Sequence, residues 1–289
     1  MSKGAWNRFA FCFLVHLAIV MRKLLIVLLT LASAQLMGQS PTYSFAHISR
    51  AQGLASNDVY DICQDHEGFY WICTDNGLQR YDGKRWIGAG NGLQPFLPGQ
   101  PVKQVIISGI NNLLLKFSNQ YGLYNTADFS LRMLPVNKQC THYSESFLWK
   151  DSKGRIFCIC KTEGLLLYDA VKNNFTAQNI SLQLPGNFEP VCVYEDSLKG
   201  HYWFGGKDGI AVYDEKSNRL YTKENNPLHL PLLKDTINNV SSIFIDGNRY
   251  YWVIYGSGQQ KYLCYNEKDN NYLDQTSNII SAYKGHFRS

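Results

Sequence analysis

A segment that recurs at near-constant spacing restricts a chain to folds built by repetition. Residues 58 to 86, DVYDICQDHEGFYWICTDNGLQRYDGKRW, are such a segment, and weaker copies return four more times before the C-terminus. Residues 59 to 64 and 69 to 74 are rich in β-branched and aromatic side chains, and Asp65-His66-Glu67-Gly68 between them is a tight-turn sequence. Asp75-Asn76-Gly77 turns the chain into residues 78 to 81, and Asp82-Gly83, a strong hairpin signal, turns it into residues 84 to 87. Four antiparallel strands in about 45 residues is the size of one propeller blade.

The copies keep this order. The second, at residues 105 to 108, 113 to 117 and 122 to 125, keeps the spacing but loses the Asp and Trp. The third runs from Phe147 through an Asp151-to-Gly154 turn and Phe157 to Gly164–Asp169. The fourth comprises residues 191 to 196, a turn at Gly200, residues 202 to 206 and 208 to 214; the fifth comprises 240 to 246, 251 to 254 and 262 to 266, with an outer strand near 271 to 274. The tyrosine ending the third strand falls at 81, 124, 168, 213 and 265, with gaps of 43, 44, 45 and 52. So even a period favours radial repetition over a sandwich. The expected fold is all-β, a β-propeller of about five four-stranded blades at about 58–100, 101–140, 141–187, 188–236 and 237–280, with a short tail at 281–289.

The motif reads as structural before it reads as functional. Gly68, Gly77, Gly154, Gly164, Gly200 and Gly209 supply turns. Trp71, Phe157, Trp203 and Trp252 recur at one position of the second strand, where a flat side chain fills the space between twisted sheets. Asp65, Asp151, Asp196 and Asp246 are placed to cap their turns. Asp82, Tyr81, Tyr168 and Tyr213 complete the repeat positions. No loop offers the converging carboxylates that calcium needs, and no catalytic set or cofactor is expected. Histidines 47, 66, 142, 201, 229 and 286 do not share a blade position, and His66 and His201 read as solvated turn residues.

The first forty residues stand apart. Met21-Arg22-Lys23, an apolar stretch at 24 to 31 and small residues at 32 to 34 describe a secretory signal peptide, so residues 1–38 are expected to be a leader and Met21 the real start. The apolar run at 9 to 20 is too short to span a bilayer, and no later segment approaches about 18 apolar residues. The net charge of +5 loses four positive residues with the leader, leaving 24 against 23. Lys and Arg are scattered singly, which excludes a nucleic-acid partner. Seven cysteines then remain, with no CxxC, and read as small core residues rather than a disulfide framework. With a four-residue turn at 65 to 68, Cys63 and Cys73 would lie on opposite faces of their hairpin.

The first copy, Asn57-Asp58-Val59-Tyr60 with Gln64-Asp65, Gly68-Phe69, Trp71-Ile72, Thr74, Gly77-Leu78 and Arg80-Tyr81-Asp82-Gly83, closely resembles the two-component regulator propeller repeat. The leading Phe45, Ile48 and Gly53-Leu54-Ala55-Ser56-Asn57 resemble the usual opening of such sensors; Cys73 departs from the usual glycine, which Gly205 keeps. The resemblance covers residues 43 to 275 and implies the periplasmic sensor region of a Bacteroidetes-type hybrid histidine kinase. It implies an exported propeller that binds a small extracellular ligand of oligosaccharide type and can self-associate through its faces. Such propellers usually have seven blades and are followed by a membrane helix and a kinase core. Neither follows here, and a strand at 43 to 48 would close a ring. The expectation is therefore an incomplete seven-bladed ring in a truncated chain, lacking about two blades or roughly 90 residues. The alternatives are a propeller lyase acting on a streptogramin-like or polysaccharide substrate, and a free-standing interaction propeller whose contact surface is the 88 to 101 loop with Phe96 exposed.

Overall fold

The computed structural model describes residues 21–26, 47–87, 96–97, 99–135, 145–160, 164–176, 182, 184–185 and 188–273. Five four-stranded sheets follow one another along the chain, each a meander of antiparallel neighbours in chain order. The first holds β1 (Val59–Gln64), β2 (Tyr70–Thr74), β3 (Gly77–Tyr81) and β4 (Trp86–Ile87). The second holds β5 (Gln104–Gly109), β6 (Asn112–Lys116), β7 (Tyr121–Asn125) and β8 (Leu131–Met133). The third holds β9 (Phe147–Lys150), β10 (Ile156–Cys160), β11 (Gly164–Asp169) and β12 (Asn174–Thr176). In the fourth are β13 (Pro190–Asp196), β14 (His201–Gly206), β15 (Gly209–Asp214) and β16 (Arg219–Tyr221), and in the fifth β17 (Val240–Ile245), β18 (Tyr250–Tyr255), β19 (Lys261–Asn266) and β20 (Asn271–Tyr272).

Successive residues of a strand face opposite sides, so a fully buried strand serves two interfaces at once. Trp71, Cys73 and Leu78 of the first blade pack with Val105, Leu113 and Leu115 of the second. Leu114, between those two leucines, faces the other way, into Leu148, Ile156 and Cys158 of the third. Phe157 and Ile159 then meet Tyr202 and Phe204 of the fourth. Trp203, between that pair, joins Ile243, Tyr251 and Val253 of the fifth. The core is thus a series of layers between consecutive sheets. Trp252 lies on the far side of the fifth blade with Cys264, Phe244 and Leu273.

The turns are closed by carboxylates and amides. Asp65 accepts from the Glu67 and Phe69 amides at 3.0 and 2.9 Å, and its second oxygen accepts from Trp71 Nε1 at 2.7 Å. Asp246 repeats this with the Asn248 and Tyr250 amides and Trp252 Nε1. One bond thereby ties the turn to the aromatic that packs between sheets. The residue after the third-strand tyrosine closes the next turn in all five blades: Asp82, Asn125, Asp169, Asp214 and Asn266 each accept from amides two and three residues ahead.

Several expectations are corrected. The first hairpin pairs Asp65 with Phe69, and Cys63 stands opposite Trp71. The turn is one residue longer than expected, so Cys63 and Cys73 share the face that meets the second blade. Phe96 is not an exposed contact residue: it is 4% exposed, bridges to Leu78 and lies 5.6 Å from the Trp71 ring. Cys160 is disulfide-bonded, against the reading of all cysteines as core thiols, whereas Cys63, Cys73, Cys192 and Cys264 are free. Residues 47–49 hold no strand; the rest of the expected opening strand, 43 to 46, lies outside the described residues. Of the leader, residues 21–26 are helical and exposed, and the remainder lies outside the described residues. Among those described, no helix is long and apolar enough to cross a membrane.

The segment that leads into the first blade covers the face its neighbour leaves open. A short helix, Arg50–Gln52, is capped by Ser49. The Gln79 side chain donates to Gly53 O and accepts from Ala55 N, and Trp86 Nε1 donates to Gln52 O.

Two glycines show how tightly the connectors seat. Gly77 and Gly209 have φ of 109° and 112°, and a Cβ there would come within 2.3 Å of Leu97 O and 2.6 Å of Ile237 O. Gly83 has φ 91° and open space around it. Gly83→Ala should cost about 1–2 kcal/mol for the left-handed backbone, and Gly77→Ala or Gly209→Ala at least about 3 kcal/mol because the connector must also move. Urea denaturation of the three variants checks the order; equal losses would show that the close approach carries no cost.

Candidate functional site

Where neighbouring blades meet at the aspartate-bearing turns, the third/fourth and fourth/fifth interfaces carry related charged clusters. At the first of these, the β9–β10 turn brings Asp151, Lys153 and Arg155 against Tyr202 of β14 and Glu215 just after β15. Arg155 Nε donates to Asp151 Oδ2 at 2.6 Å, and its Nη2 reaches Tyr202 Oη at 2.9 Å and Glu215 Oε1 at 3.0 Å. Lys153 Nζ adds a 2.7 Å bond to Glu215. Burial opposes charge on Glu215, but bonds and charge from Lys153 and Arg155 hold its carboxyl below the usual range.

One blade on, the same residue types recur at matching positions, except that the arginine comes from the other side. Arg249, in the β17–β18 turn, grips Asp196 with two bonds of 2.8 and 2.6 Å. Its Nε donates to Glu267 at 2.7 Å, and Tyr251 Oη donates to Glu267 at 2.9 Å. Lys199 also pairs with Glu267. The Asp196 side chain is 1% exposed, so its charge depends on this bidentate partner. Burial raises Glu267, yet the bonds from Arg249, Lys199 and Tyr251 outweigh it and bring the carboxyl to about 2. Asp196 is likewise pushed up by burial and pulled down further by Arg249. Arg249 itself is raised, first by its bond to Asp196.

Each cluster borders a cavity. Between the third and fourth blades, a half-open cavity of about 150 Å³ is lined by Trp149, Phe157, Leu182, Tyr202, Tyr213 and Glu215. Between the fourth and fifth, a half-open cavity of about 250 Å³ is lined by His201, Trp203, Tyr251, Tyr265, Glu267 and the connector residues 228 to 232. In both, a tyrosine of the third strand donates to an asparagine five residues on: Tyr213 to Asn218 and Tyr265 to Asn270, each at 2.7 Å. Those asparagines have φ of 54° and 50°, which Asn tolerates in the left-handed region. Tyr168 and Asn173 make the same tether.

The expected repeat residues divide accordingly. Asp65, Trp71, Asp246 and Trp252 make the turn-to-indole bond. Gly68 and Gly154 lie in first hairpin turns and Gly77, Gly164 and Gly209 at the start of third strands, all with positive φ. Tyr81 packs at a tilt against Trp86, and Asp82, Tyr168 and Tyr213 hold the last turn of their blades. Asp151, Asp196 and Trp203 alone among them join the charged clusters or the larger cavity, and Phe157 and Tyr213 the smaller. His201 is not a solvated turn residue: it opens β14, and burial lowers its pKa. Sequence reading passed over Lys153, Arg155, Lys199, Tyr202, Glu215, Arg249, Tyr251 and Glu267. The signal was present as Tyr-Trp at 202–203 and 251–252, and as an Asx-Glu-Lys run at 214–216 and 266–268. Among the described residues, no group of three or more His, Cys, Asp or Glu is placed to hold a metal ion.

Because Glu267 falls from its ordinary 4.5 to about 2 on folding, its stabilisation is fully present above about pH 4.5 and is lost as pH drops through 2. Melting temperature should therefore fall over that window, and Glu267→Gln should make the fall shallower. An unchanged acid limb in the variant would place the sensitivity elsewhere.

The model of the two component regulator propeller family matches residues 53–76, and the chain carries that repeat across the first hairpin. The structure resembles the extracellular domain ascribed to hybrid two component system BT3049 of B. thetaiotaomicron, at TM-score 0.57 and 18% identity over 80% of this chain and 32% of that one. It also resembles the extracellular domain ascribed to one component system BT4673 of B. thetaiotaomicron, at 0.54 and 14%, over 82% and 29%. PorZ, a bacterial surface component of the type-IX secretion system of Porphyromonas gingivalis, matches at 0.51 and 14%, over 77% and 34%. The chain thus spans about a third of the length of these solved chains. No curated protein matches it. These likenesses establish the fold as a β-propeller.

Proposed function

We propose that this chain is an extracytoplasmic sensor propeller of the two-component signalling class, which binds a small ligand and transmits occupancy through contacts between domains. The reading rests on the family repeat at residues 53–76, seated on the first hairpin and on the segment leading into it. It is supported by the likeness to two extracellular domains ascribed to one- and two-component systems. The Met21-Arg22-Lys23 leader and the apolar stretch after it supply the export signal.

A lyase would need a histidine and an available carboxylate at one place. His201 and His229 do border the larger cavity with Glu267. That carboxylate is held by Arg249, Lys199 and Tyr251 with its pKa near 2, which makes it too acidic and too engaged to act as a general base. Binding without chemistry is therefore the better use of this surface.

Export is tested by fusing alkaline phosphatase after Ser289 and expressing the full chain in a Gram-negative host. Activity that disappears when residues 21 to 38 are deleted is the expected result. Equal activity with and without the leader, or none with it, would contradict an extracytoplasmic sensor.

A further inference from the structure

One position of the second strand sets how much ring stands between neighbouring blades. Trp71, Leu114, Phe157, Trp203 and Trp252 are equivalent, each paired with the residue just before the third-strand tyrosine. The second blade has only Leu114 there, but the rings of Tyr121 and Phe175, 5.0 Å apart, pack into its interface with the third. The third blade has Phe157, one ring less than tryptophan. Opposite it, the outer strand of the fourth blade carries Leu220 in the place of Phe175: Phe175 pairs with Tyr168, and Leu220 with Tyr213. The cavity of about 150 Å³ between these two blades lies beside Phe157.

Its walls are largely rings. Trp149 stacks on Phe157 at 5.6 Å and 28° and meets Tyr202 edge-on at 5.5 Å and 85°. Tyr202 in turn lies 6.0 Å from Tyr213 at 26°. Leu165 and Leu167 complete the apolar side. The charges at the rim cancel, because Lys153 and Arg155 pair with Asp151 and Glu215. The Arg155 guanidinium also lies 5.5 Å from the centre of the Phe157 ring. An entering carboxylate would have to compete with Asp151 and Glu215 for Arg155, and an ammonium group would meet the guanidinium's own positive charge. The face of an uncharged aromatic ring meets neither obstacle and is attracted to the guanidinium.

We propose that this cavity is a binding site for a small uncharged aromatic molecule of about one ring, taken up among Trp149, Phe157 and Tyr202. The proposal deepens the sensor reading and rests on it, and it names an aromatic ligand rather than the oligosaccharide that the sequence resemblance implies. Its volume of about 150 Å³ matches that of an apolar cavity that stays dry and accepts benzene. A flat ligand meets both stacked and edge-on partners in such a wall, which a saturated ring of equal size does not. The cavity is half-open and Trp149 is half-buried, so a ring reaches the site without separating the blades.

The test is 19F NMR on the full chain labelled with 5-fluorotryptophan, titrated with phenol, and with cyclohexanol, benzoate and benzylamine as contrasts. Trp149 reports on this cavity and Trp203 on the larger one, and Trp149→Phe assigns the first resonance. The expected result is a saturable shift of Trp149 with phenol that leaves Trp203 in place and is weaker with each contrast. Phe157→Trp gives the third blade the residue that the first, fourth and fifth carry, and Leu167→Phe fills the space from the next strand. Both should weaken phenol binding at least about tenfold, and either one that keeps the native spectrum at the other tryptophans carries the test. Undiminished affinity in such a variant would overturn the location. An equal response to cyclohexanol would overturn the aromatic class, and a preference for benzoate or benzylamine would overturn the uncharged one. A shift of Trp203 alone, or none at all with phenol, contradicts the site, whereas the sensor reading stands or falls on the export fusion.

Discussion

Burial of one aromatic side chain against the neighbouring sheet sets the spacing of everything else in this chain. A four-stranded sheet is too small to be stable with its faces in water, and twist leaves a wedge between consecutive sheets that a wide, flat side chain fills. Trp71, Phe157 and Trp203 occupy that wedge, and the strands carrying them alternate so that neighbouring residues, Cys158 and Phe204 among them, seal the previous interface. Because the second strand is buried on both faces, neither its length nor its register can drift. The near-constant period follows from that constraint.

The turn aspartate is the second fixed point, and it has two uses. Bonded to the indole, it stiffens its own blade, as at Asp65 and Asp246. Bonded to an arginine, it enters the charged cluster between blades, as at Asp151 and Asp196. The second use changes the electrostatics of an interface: it links two turns through charges with little exposure, and at the fourth blade it leaves the buried indole N–H of Trp203 without an acceptor. Structure and candidate site are therefore alternatives for the same carboxylate, decided by whether an arginine stands within reach.

The fold was legible because its signals are local. Asp-Gly and Asn-Gly turns, alternating apolar strands and a tyrosine at a fixed offset survive in a single chain without partners. The errors were also local in origin. One extra residue in the first hairpin reversed the face of Cys63, and a loop rich in glycine and proline concealed that Phe96 is drawn into the first interface beside Trp71. The charged clusters were not legible, since Asp196 and Lys199 lie far in sequence from Arg249 and Glu267 and meet them only when the fourth and fifth blades pack. The asparagine five residues after Tyr168, Tyr213 and Tyr265 was visible as a spacing, but its meaning required the left-handed backbone that the tyrosine bond stabilises.

The central claim is that Asp196 belongs energetically to Arg249 rather than to its own turn. A double-mutant cycle on Asp196→Asn and Arg249→Met, read by urea denaturation, measures that coupling directly. A buried bidentate pair predicts that each single variant loses about 3 kcal/mol or more, and that the double variant loses at least about 2 kcal/mol less than the sum. Losses that add to within about 0.5 kcal/mol would contradict the account, because Asp196 would then be doing the work of Asp65 and Asp246 and the indole of Trp203 would have no reason to be left without an acceptor.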